Sequence, residues 1–363
     1  MKSILLVTSE FPPQPGGIGV HALNLAQALV NEGCKITVVT DERSETGEEE
    51  MKFDKTLVFT VHRIKKQSIR TVMYINRVVK VFELMKSVNA VIASGKFSLW
   101  NVAFCNLFKN RFSLAVVHGT EVNLPSRVSK KRVFQALKQF DKVVAVSNFT
   151  KQLMDSLNID VKVIPNGIVL QEWQNVKSNT TRLKGFPKLI TVGRISDRKG
   201  QKNVVSILPE LLKTFPDLHY HCVGIDDNTN GIKGLVAKLE MNNHVTFHGV
   251  LEQSLLQSYL SESDIFIMLS QNGLKGDVEG FGIAILEANA LGVPAIGAYG
   301  SGVEEAISTG QSGGLINIGD YQALKRLIDD ILKNKESYRN GAEQWAKGHD
   351  WNGIVKQYIA LLP

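Results

Sequence analysis

The sequence predicts an α/β protein made of two Rossmann-like halves, each built around a mostly parallel sheet. Short apolar runs alternate with helix-length amphipathic segments along the chain, which is the pattern of successive strand-helix-strand units. At 363 residues the chain exceeds the usual size of one hydrophobic core, so two domains are expected. The Pro165-Asn166-Gly167 turn and the polar stretch 171–184 indicate a boundary between the halves.

Strand and helix positions follow from the spacing of apolar residues. The first helix is expected to begin near Gly19 and to stop at Gly33, because apolar residues recur every three or four positions from Val20. Two helical segments close the chain, from Tyr321 to Leu332 and from about Tyr338 to Leu361. Strands are predicted near 3–8, 35–40, 57–62, 90–94, 113–117, 142–146 and 161–164, and then near 188–192, 218–223, 244–247, 264–269, 293–297 and 313–316.

Composition excludes several classes of protein. A chain that is 44% hydrophobic and 21% charged is typical of a folded soluble protein. Its three cysteines, Cys34, Cys105 and Cys222, lie far apart without a CxxC pair, which argues against a disulfide framework or a structural zinc site. The apolar run Ile4–Val7 is too short for a signal peptide, and no run approaches the roughly 18 apolar residues of a spanning helix. We therefore expect a cytoplasmic protein, at most peripheral on the inner face of the membrane.

The positive charge is concentrated in the first half. Residues 1–170 carry 23 Lys and Arg against 14 Asp and Glu, whereas the rest carries 19 against 21. This asymmetry is compatible with a solvated basic face, and equally with anionic lipid headgroups or a phosphorylated acceptor as partner. Nucleic acid is disfavoured because the basic clusters are not interleaved with aromatic residues. The clusters are Arg63, Lys65, Lys66, Arg70, Arg77 and Lys80, and Arg127, Lys130, Lys131 and Arg132.

The clearest local motif is a polar, glycine-rich loop that opens a helix. It runs Asp277-Val278-Glu279-Gly280-Phe281-Gly282-Ile283-Ala284-Ile285-Leu286-Glu287. The first backbone amides of a helix lack acceptors within the helix, so the amides from Gly280 to Ile283 are expected to bind anionic groups. Glu279 and Glu287 are eight residues apart, a Glu-x7-Glu pattern, although a charged helix face is the ordinary role of a helical glutamate.

Other motifs occur in a specific order around this loop. They are Gly16-Gly17-Ile18, His118-Gly119-Thr120-Glu121, Ser147-Asn148, Ile164-Pro165-Asn166-Gly167, Gly193-Arg194-Ile195 and Lys199-Gly200. Together with the Glu-x7-Glu loop, they resemble the retaining glycosyltransferases of family four, which have the GT-B fold. The Asp-Val-Glu-Gly sequence before the helix resembles the phosphatidylinositol mannosyltransferases and their relatives in cell-surface polysaccharide synthesis. One departure is Val169, where the family commonly has an aspartate.

The resemblance implies a GT-B enzyme whose two Rossmann-like domains have parallel sheets facing across a cleft. Residues 1–168 would bind the acceptor, residues 169–344 the nucleotide sugar, and the C-terminal helix at about 345–363 would pack back on the first domain. The implied reaction transfers a hexose-type sugar, with retention, from a GDP- or UDP-linked donor to a glycan or a lipid-linked acceptor. Neither a metal nor a separate cofactor is expected.

The same resemblance implies roles for single residues. Two cations would bind the donor diphosphate, and the two glutamates would accept hydrogen bonds from the donor sugar and from the ribose. His118 follows a predicted strand and would contact the transferring sugar. Gly16 and Gly17 would let the backbone approach the donor. The remaining implied residues are Arg194 and Lys199 at the diphosphate, Glu279 at the sugar, Glu287 at the ribose, and the amides of Phe281, Gly282 and Ile283.

Three rival functions remain open. Gly17-x-Gly19-x-x-Ala22 with Asp41 also fits the dinucleotide-binding fingerprint of an NAD-dependent dehydrogenase. The segment Glu10–Pro15 intervenes between the strand and these glycines, which argues against the tight turn of that fingerprint. A sugar-nucleotide epimerase of the same fold is the nearest alternative. A non-catalytic binding protein is disfavoured because the cation and glutamate motifs are intact.

Metal binding has weak sequence support. The chain lacks the Asp-x-Asp motif that holds a metal on nucleotide sugars, and Asp226-Asp227 is expected in an ordinary loop. His219, His221 and Cys222 lie on one predicted strand, where tetrahedral zinc geometry is unfavourable.

Overall fold

The computed structural model describes residues 2–174, 183–226, 231–273 and 276–363. The chain forms two compact units. The first contains Met1–Gly167 together with Trp351–Pro363, and the second contains Ile168–Asp350.

The first unit is built on a seven-stranded, fully parallel sheet with the order β3-β2-β1-β4-β5-β6-β7. Its central strands are continuous apolar runs because helices cover both faces. Within β4, for example, every residue from Ala90 to Ser94 is buried. The strands are β1 (Ser3–Thr8), β2 (Lys35–Asp41), β3 (Thr60–Ile64), β4 (Ala90–Ser94), β5 (Phe112–Val117), β6 (Lys142–Ala145) and β7 (Val161–Val163).

Right-handed crossovers place the helices of this unit on both faces of the sheet. α1 and α2 lie in connections that run towards the β3 edge of the sheet, whereas α3 to α6 lie in connections that run towards the β7 edge. The helix Trp351–Ile359 at the C-terminus packs against α1. The helices are α1 (Gly17–Asn31), α2 (Glu48–Asp54), α3 (Arg70–Leu84), α4 (Lys96–Asn106), α5 (Arg127–Leu137) and α6 (Asn148–Gln152).

The second unit has a six-stranded parallel sheet with the order β10-β9-β8-β11-β12-β13. The strands are β8 (Lys188–Val192), β9 (His219–Val223), β10 (Val245–Gly249), β11 (Ile265–Met268), β12 (Ala295–Ala298) and β13 (Gly313–Ile316). The helices are α7 (Leu170–Gln174), α8 (Gln201–Leu212), α9 (Ile232–Lys238), α10 (Gln253–Glu262), α11 (Ile283–Ala290), α12 (Tyr321–Lys333) and α13 (Lys335–Gly348).

The predicted strands are all present, and the largest displacement is at the third, which begins at Thr60 rather than at residue 57. The first helix begins at Gly17, two residues before the predicted start. The prediction of one continuous helical segment from Tyr338 to Leu361 was wrong. α13 ends at Gly348 because the chain turns at His349 and Asp350. At this turn the carbonyl oxygen of His349 accepts a hydrogen bond from the backbone amide of Ile168 (2.9 Å).

The polar stretch predicted as a linker is only partly described. Its first residues form α7, and residues 175–182 lie outside the described residues. Within the part of the chain that is described, no helix combines the length and apolarity needed to cross a bilayer.

Candidate functional site

The glycine-rich loop before α11 is held by a close backbone approach. Gly302 donates its amide to the carbonyl of Glu279 (2.9 Å). A Cβ atom on Gly302 would lie 2.0 Å from the carbonyl oxygen of Gly280, so no larger residue fits without displacing the loop. Gly302 therefore fixes the backbone that carries Glu279.

We expect Gly302→Ala to displace the Glu279 loop and to weaken nucleotide binding at least tenfold, because the clash is with backbone atoms that have no rotamer to change. Calorimetric titration with nucleoside diphosphates measures the loss. Gly234→Ala is the matched control, since a Cβ atom there has no neighbour within 4 Å and the position is helical. Equal binding by both variants would show that the loop is not part of the nucleotide site.

Glu279 is buried and paired with two cations. Its carboxylate accepts a salt-bridged hydrogen bond from Arg198, and the Lys199 ammonium lies 3.0 Å from the same oxygen. Burial alone would raise the pKa of Glu279, but Lys199 and Arg198 outweigh it and hold the pKa below its usual value. The carboxylate is therefore ionised at neutral pH, between two positive charges.

The two cations come from a 3-10 turn, Asp197–Lys199, that follows β8. Ser196 caps the turn by accepting a hydrogen bond from the Lys199 amide, and Gly200 ends it at φ +77°. A Cβ atom on Gly200 would lie 1.9 Å from the carbonyl oxygen of Leu269, so this glycine lets the turn lie directly against the chain that follows β11. The turn thus presents Lys199 beyond the carboxyl end of β8.

Arg194 has different surroundings from Lys199. Its side chain is exposed, and within the described residues it has no ion pair. Gly193, at φ +138°, lies so close to Lys199 that a Cβ atom would be 3.1 Å from Lys199 Cε. The structure therefore brings Lys199 and Glu279 together, adds Arg198 to them, and leaves Arg194 free to meet a ligand.

The predicted free amides are present at the start of α11. Gly282 occupies the N-cap position at φ +98°. Among the described residues, the amides of Gly280, Phe281, Gly282 and Ile283 donate to no acceptor. The Phe281 ring is buried, 1% exposed, so this residue offers its amide rather than its side chain. These amides and the positive end of the helix dipole favour an anionic ligand.

Glu287 lies in the second turn of α11 and is partly buried. Burial raises its pKa to about 7, with Lys199 opposing the shift and Glu172 adding to it. The carboxyl group is consequently close to half protonated at neutral pH. A vicinal diol would favour the ionised form, because a carboxylate offers two acceptor oxygens.

We expect the affinity for a nucleotide sugar to rise with pH through about 7. The ionised fraction of Glu287 rises from about one tenth at pH 6 to about nine tenths at pH 8. The affinity for the nucleotide sugar should therefore rise up to tenfold. The donor pyrophosphate itself does not titrate in this range. Titration calorimetry of wild type and Glu287→Gln is the measurement, and the variant should show a flat profile. An equal slope in both proteins would exclude Glu287 as the titrating group.

In the first unit, His118 follows β5 and is buried at 9% exposure. Its Nε2 shares a hydrogen bond with Ser94 Oγ (2.9 Å), at the carboxyl end of the neighbouring strand β4. Its backbone amide donates to both carboxylate oxygens of Glu121, at 3.3 and 3.1 Å. Burial lowers the pKa of His118 to about 4 and raises the pKa of Glu121 to about 7. His118 is therefore a neutral imidazole at physiological pH.

His21 of α1 packs on His118. The two rings meet edge to face, with centroids 4.9 Å apart. His21 Nε2 lies 3.2 Å from the Tyr358 hydroxyl, and the ring centroids of His21 and Trp351 are 5.3 Å apart. Burial, followed by the neighbouring His118, lowers the pKa of His21 well below its usual value. Sequence reasoning missed His21, and its position one helical turn beyond Gly17 was the available signal.

Gly16 and Gly17 lie where the loop from β1 enters α1. A Cβ atom on Gly17 would have no neighbour within 4 Å, whereas one on Gly16 would meet the flexible carboxylate of Glu10 at 2.4 Å. Neither position is crowded by backbone. The absence of a side chain at Gly17 therefore leaves open space at the start of the helix, whereas at Gly16 the Glu10 carboxylate occupies the corresponding position.

The structure argues against the dinucleotide fingerprint. Eight residues, 9–16, separate the end of β1 from the start of α1, so the glycines do not turn directly out of the strand. Asp41, which would have to bind a ribose, accepts hydrogen bonds from Arg77 on both carboxylate oxygens. Its oxygens are already used within the protein.

Among the described residues, no three His, Cys, Asp or Glu side chains are arranged to hold a metal ion. His219 and His221 do share a strand face, with ring centroids 4.7 Å apart, and His221 Nδ1 lies 3.0 Å from His248 Nε2. Asp226 pairs with Lys233 at 2.9 Å, and Asp227 lies outside the described residues.

Comparison with known proteins places this arrangement in context. Residues 15–172 match Glycosyltransferase Family 4, and residues 174–347 match Glycosyl transferases group 1. The GDP-mannose-dependent alpha-(1-6)-phosphatidylinositol monomannoside mannosyltransferase of Mycolicibacterium smegmatis is 24% identical over 96% of this chain and 93% of its own. The putative colanic acid biosynthesis glycosyltransferase WcaL of Salmonella typhimurium is 25% identical over 50% of this chain and 47% of its own.

Among solved structures, Anabaena HepE in complex with UDP and glucose is similar along its whole length. The TM-score is 0.81 at 18% identity, with 100% of this chain and 99% of that chain covered. This likeness confirms the predicted GT-B fold with two Rossmann-like parallel-sheet domains.

Proposed function

Because the chain belongs to glycosyltransferase family four, we propose that it transfers a hexose-type sugar from a GDP- or UDP-linked donor to a glycan or lipid-linked acceptor. The observation that carries this proposal is the cluster of Arg198, Lys199 and Glu279. It is joined by unpaired amides at the start of α11. Two cations and a helix N-terminus suit a diphosphate, and a buried carboxylate beside them suits sugar hydroxyls.

The second unit supplies the donor site in this proposal. Lys199 and the exposed Arg194 would neutralise the diphosphate as it leaves, and the amides of Phe281 to Ile283 would donate to its oxygens. Glu279 would exchange part of its pairing with the cations for hydrogen bonds from the donor sugar. Glu287 would accept the ribose hydroxyls. The reaction would not require a metal, because fixed protein cations perform the charge neutralisation that a divalent ion performs elsewhere.

The first unit supplies His118 in this proposal. A neutral imidazole can donate or accept a hydrogen bond without adding a charge, which suits contact with a sugar hydroxyl. Glu121 and Ser94 fix the backbone and the ring of His118, so its orientation is set before a ligand arrives. We propose retention of anomeric configuration, as the family resemblance implies.

The acceptor belongs to cell-envelope glycolipid or polysaccharide synthesis in this proposal, because the named relatives act there. The mannosyltransferase named above acts on a phosphatidylinositol mannoside, and WcaL is named for colanic acid biosynthesis. A cytoplasmic location, peripheral on the inner face of the membrane, belongs to the same proposal.

The test is donor turnover with and without an acceptor. Purified protein is incubated with UDP-glucose, GDP-mannose or GDP-glucose, with EDTA present, and the release of nucleoside diphosphate is measured. We expect release with one base to rise at least tenfold when a lipid extract or oligosaccharide acceptor is added. Conversion of the donor sugar without an acceptor would instead support the epimerase. Loss of all activity in EDTA would contradict metal independence.

A further inference from the structure

The helix α4 is apolar on both of its faces. Its inner residues, Leu99, Val102 and Ala103, pack in the core beneath the sheet. Its outward side nevertheless carries Phe104, which is 50% exposed, and Phe108, two residues beyond the end of the helix, is 67% exposed. A surface helix of a water-exposed protein normally has a polar outer face, and an apolar outer face indicates a non-aqueous partner.

The exposed apolar side chains extend onto the neighbouring helices. α4 lies between α3 and α5, and both contact it. Tyr74 of α3 stacks on Phe97 of α4, with ring centroids 5.6 Å apart. Ten of the large exposed apolar residues therefore fall between 69 and 128, and we call them the apolar ridge: Ile69, Val72, Tyr74, Ile75, Val79, Phe97, Phe104, Leu107, Phe108 and Val128.

The ridge lies in the most basic part of the chain. Residues 65–140 contain 14 Lys and Arg but only two acidic residues, Glu83 and Glu121, and Glu121 is buried. Exposed or partly exposed cations flank the ridge on both sides, on or near α3 and α5. They are Lys65, Lys66, Lys80 and Lys86 on one side, and Arg127, Lys130, Lys131, Arg132 and Lys138 on the other.

Two lysines on α4 and α5 also lie close to aromatic rings beside the ridge. Lys96 Nζ lies 5.0 Å from the Trp100 ring centroid, and Lys130 Nζ lies 5.3 Å from that of Phe134. Apolar and aromatic side chains surrounded by lysine and arginine are characteristic of surfaces that lie in the headgroup region of a bilayer. A second copy of the chain is a poor occupant, because it would place two strongly positive faces against each other.

We propose that the outer face of α3, α4 and α5 docks on an anionic lipid bilayer. Phe104, Leu107 and Phe108 enter the boundary between headgroups and acyl chains, and the flanking cations bind lipid phosphates. This inference deepens the proposed function, and rests on it for the view that the acceptor is lipid-linked. The docking itself needs no catalysis and is measured separately.

The experiment is flotation of the full chain with vesicles at low salt. One set contains phosphatidylcholine alone, and the other contains equal parts of phosphatidylcholine and phosphatidylglycerol. We expect binding only to the anionic set, at least tenfold weaker binding for the double variant Phe104→Ser with Phe108→Ser, and unchanged binding for Val250→Ser. Val250 is the matched control because it is 71% exposed and lies in the second unit.

The charge contribution is tested with Lys130, Lys131 and Arg132 changed together to serine. This variant should also bind at least tenfold more weakly, whereas changing Lys238, Lys325 and Arg326 should have little effect on binding. Nucleotide binding by each variant shows that it is folded, and the same readout in wild type tests the donor site independently. Failure of the wild type to bind anionic vesicles would overturn the proposal. Equal vesicle binding by the wild type and the phenylalanine variant would also overturn it. Conversion of a dimer to a monomer by the phenylalanine variants, with vesicle binding unchanged, would also overturn it and assign the ridge to self-association.

Discussion

Replacing Glu279 with glutamine is expected to lower kcat by one to two powers of ten while leaving nucleoside diphosphate affinity unchanged or slightly increased. The carboxylate accepts hydrogen bonds from Arg198 and Lys199, and in our proposal it also accepts sugar hydroxyls. The glutamine side chain lacks the charged acceptor oxygen that would bind a sugar hydroxyl. Hydrogen bonds to charged groups contribute roughly 1.5 to 3 kcal/mol each. The two freed cations remain available to a diphosphate, so its binding should not suffer.

This separation of kcat from diphosphate affinity distinguishes a sugar contact from a structural ion pair. Donor turnover gives kcat, and calorimetry gives the affinity for the nucleoside diphosphate. Glu252→Gln is the control, because Glu252 is exposed at the start of α10 and its side chain makes no capping hydrogen bond. Equal losses of kcat and of diphosphate affinity would mean that Glu279 serves only to hold the loop.

Lys199→Met is expected to weaken nucleoside diphosphate binding and to lower kcat/KM, each by one to two powers of ten. Methionine keeps most of the length of the side chain beside Gly193 but removes the charge. The ammonium is a charged donor in a partly buried position, 13% exposed. Loss of a charged hydrogen bond accounts for the expected magnitude. Glu279 would keep Arg198, so its pKa should rise only in part.

The control for Lys199 is close to it in sequence. Lys202→Met removes an equal charge from a side chain that pairs with Asp197 at 3.0 Å and is 34% exposed. We expect less than a twofold change in nucleoside diphosphate affinity and in kcat/KM for this variant. If Lys202→Met and Lys199→Met had the same small effect, Arg194 and Arg198 would have to bind the diphosphate without Lys199.

The sequence was sufficient for the sheets because buried parallel strands appear as continuous apolar runs. The strand after α2 was the hardest to place. The strand Thr60–Ile64 lies at the edge of the sheet and contains the polar residues His62 and Arg63, so it is not a continuous apolar run. The prediction was therefore placed too early, on the apolar run Leu57–Phe59. The break at His349 was also missed, because its cause is a backbone hydrogen bond from a residue far away in the sequence.

The donor-site residues were predicted from their motifs, and their roles stay predictions. Lys199, Glu279 and the amides before α11 are brought together, as that reading requires. The pairing of Arg198 with Glu279 was not predicted, because the sequence does not show in which direction the side chain next to Lys199 points. Its orientation is set by the capped 3-10 turn, which depends on the position of Gly200 against the chain after β11.

The apolar ridge could not be read from the sequence for a related reason. Phe97, Phe104 and Phe108 fit the helical spacing of a buried face as well as that of an exposed one. Which face of α4 is buried depends on how the helix packs on the sheet. Leu99 and Val102, not the phenylalanines, lie on the face that packs in the core. The basic clusters were compatible with a solvated face and equally with an anionic partner, and neither interpretation predicts an apolar surface between them.

The central claim is that the second unit binds the diphosphate of a nucleotide sugar, and thermal-shift measurement with UDP, GDP, ADP and NAD tests it most directly. A ligand at about 100 times its Kd stabilises a protein by roughly 2.7 kcal/mol, which such a measurement detects readily. We predict that UDP or GDP stabilises the wild type without added metal, and that Lys199→Met and Arg194→Ala lose most of that stabilisation. Stabilisation by NAD alone, or by a nucleoside diphosphate equally in wild type and both variants, would contradict the claim.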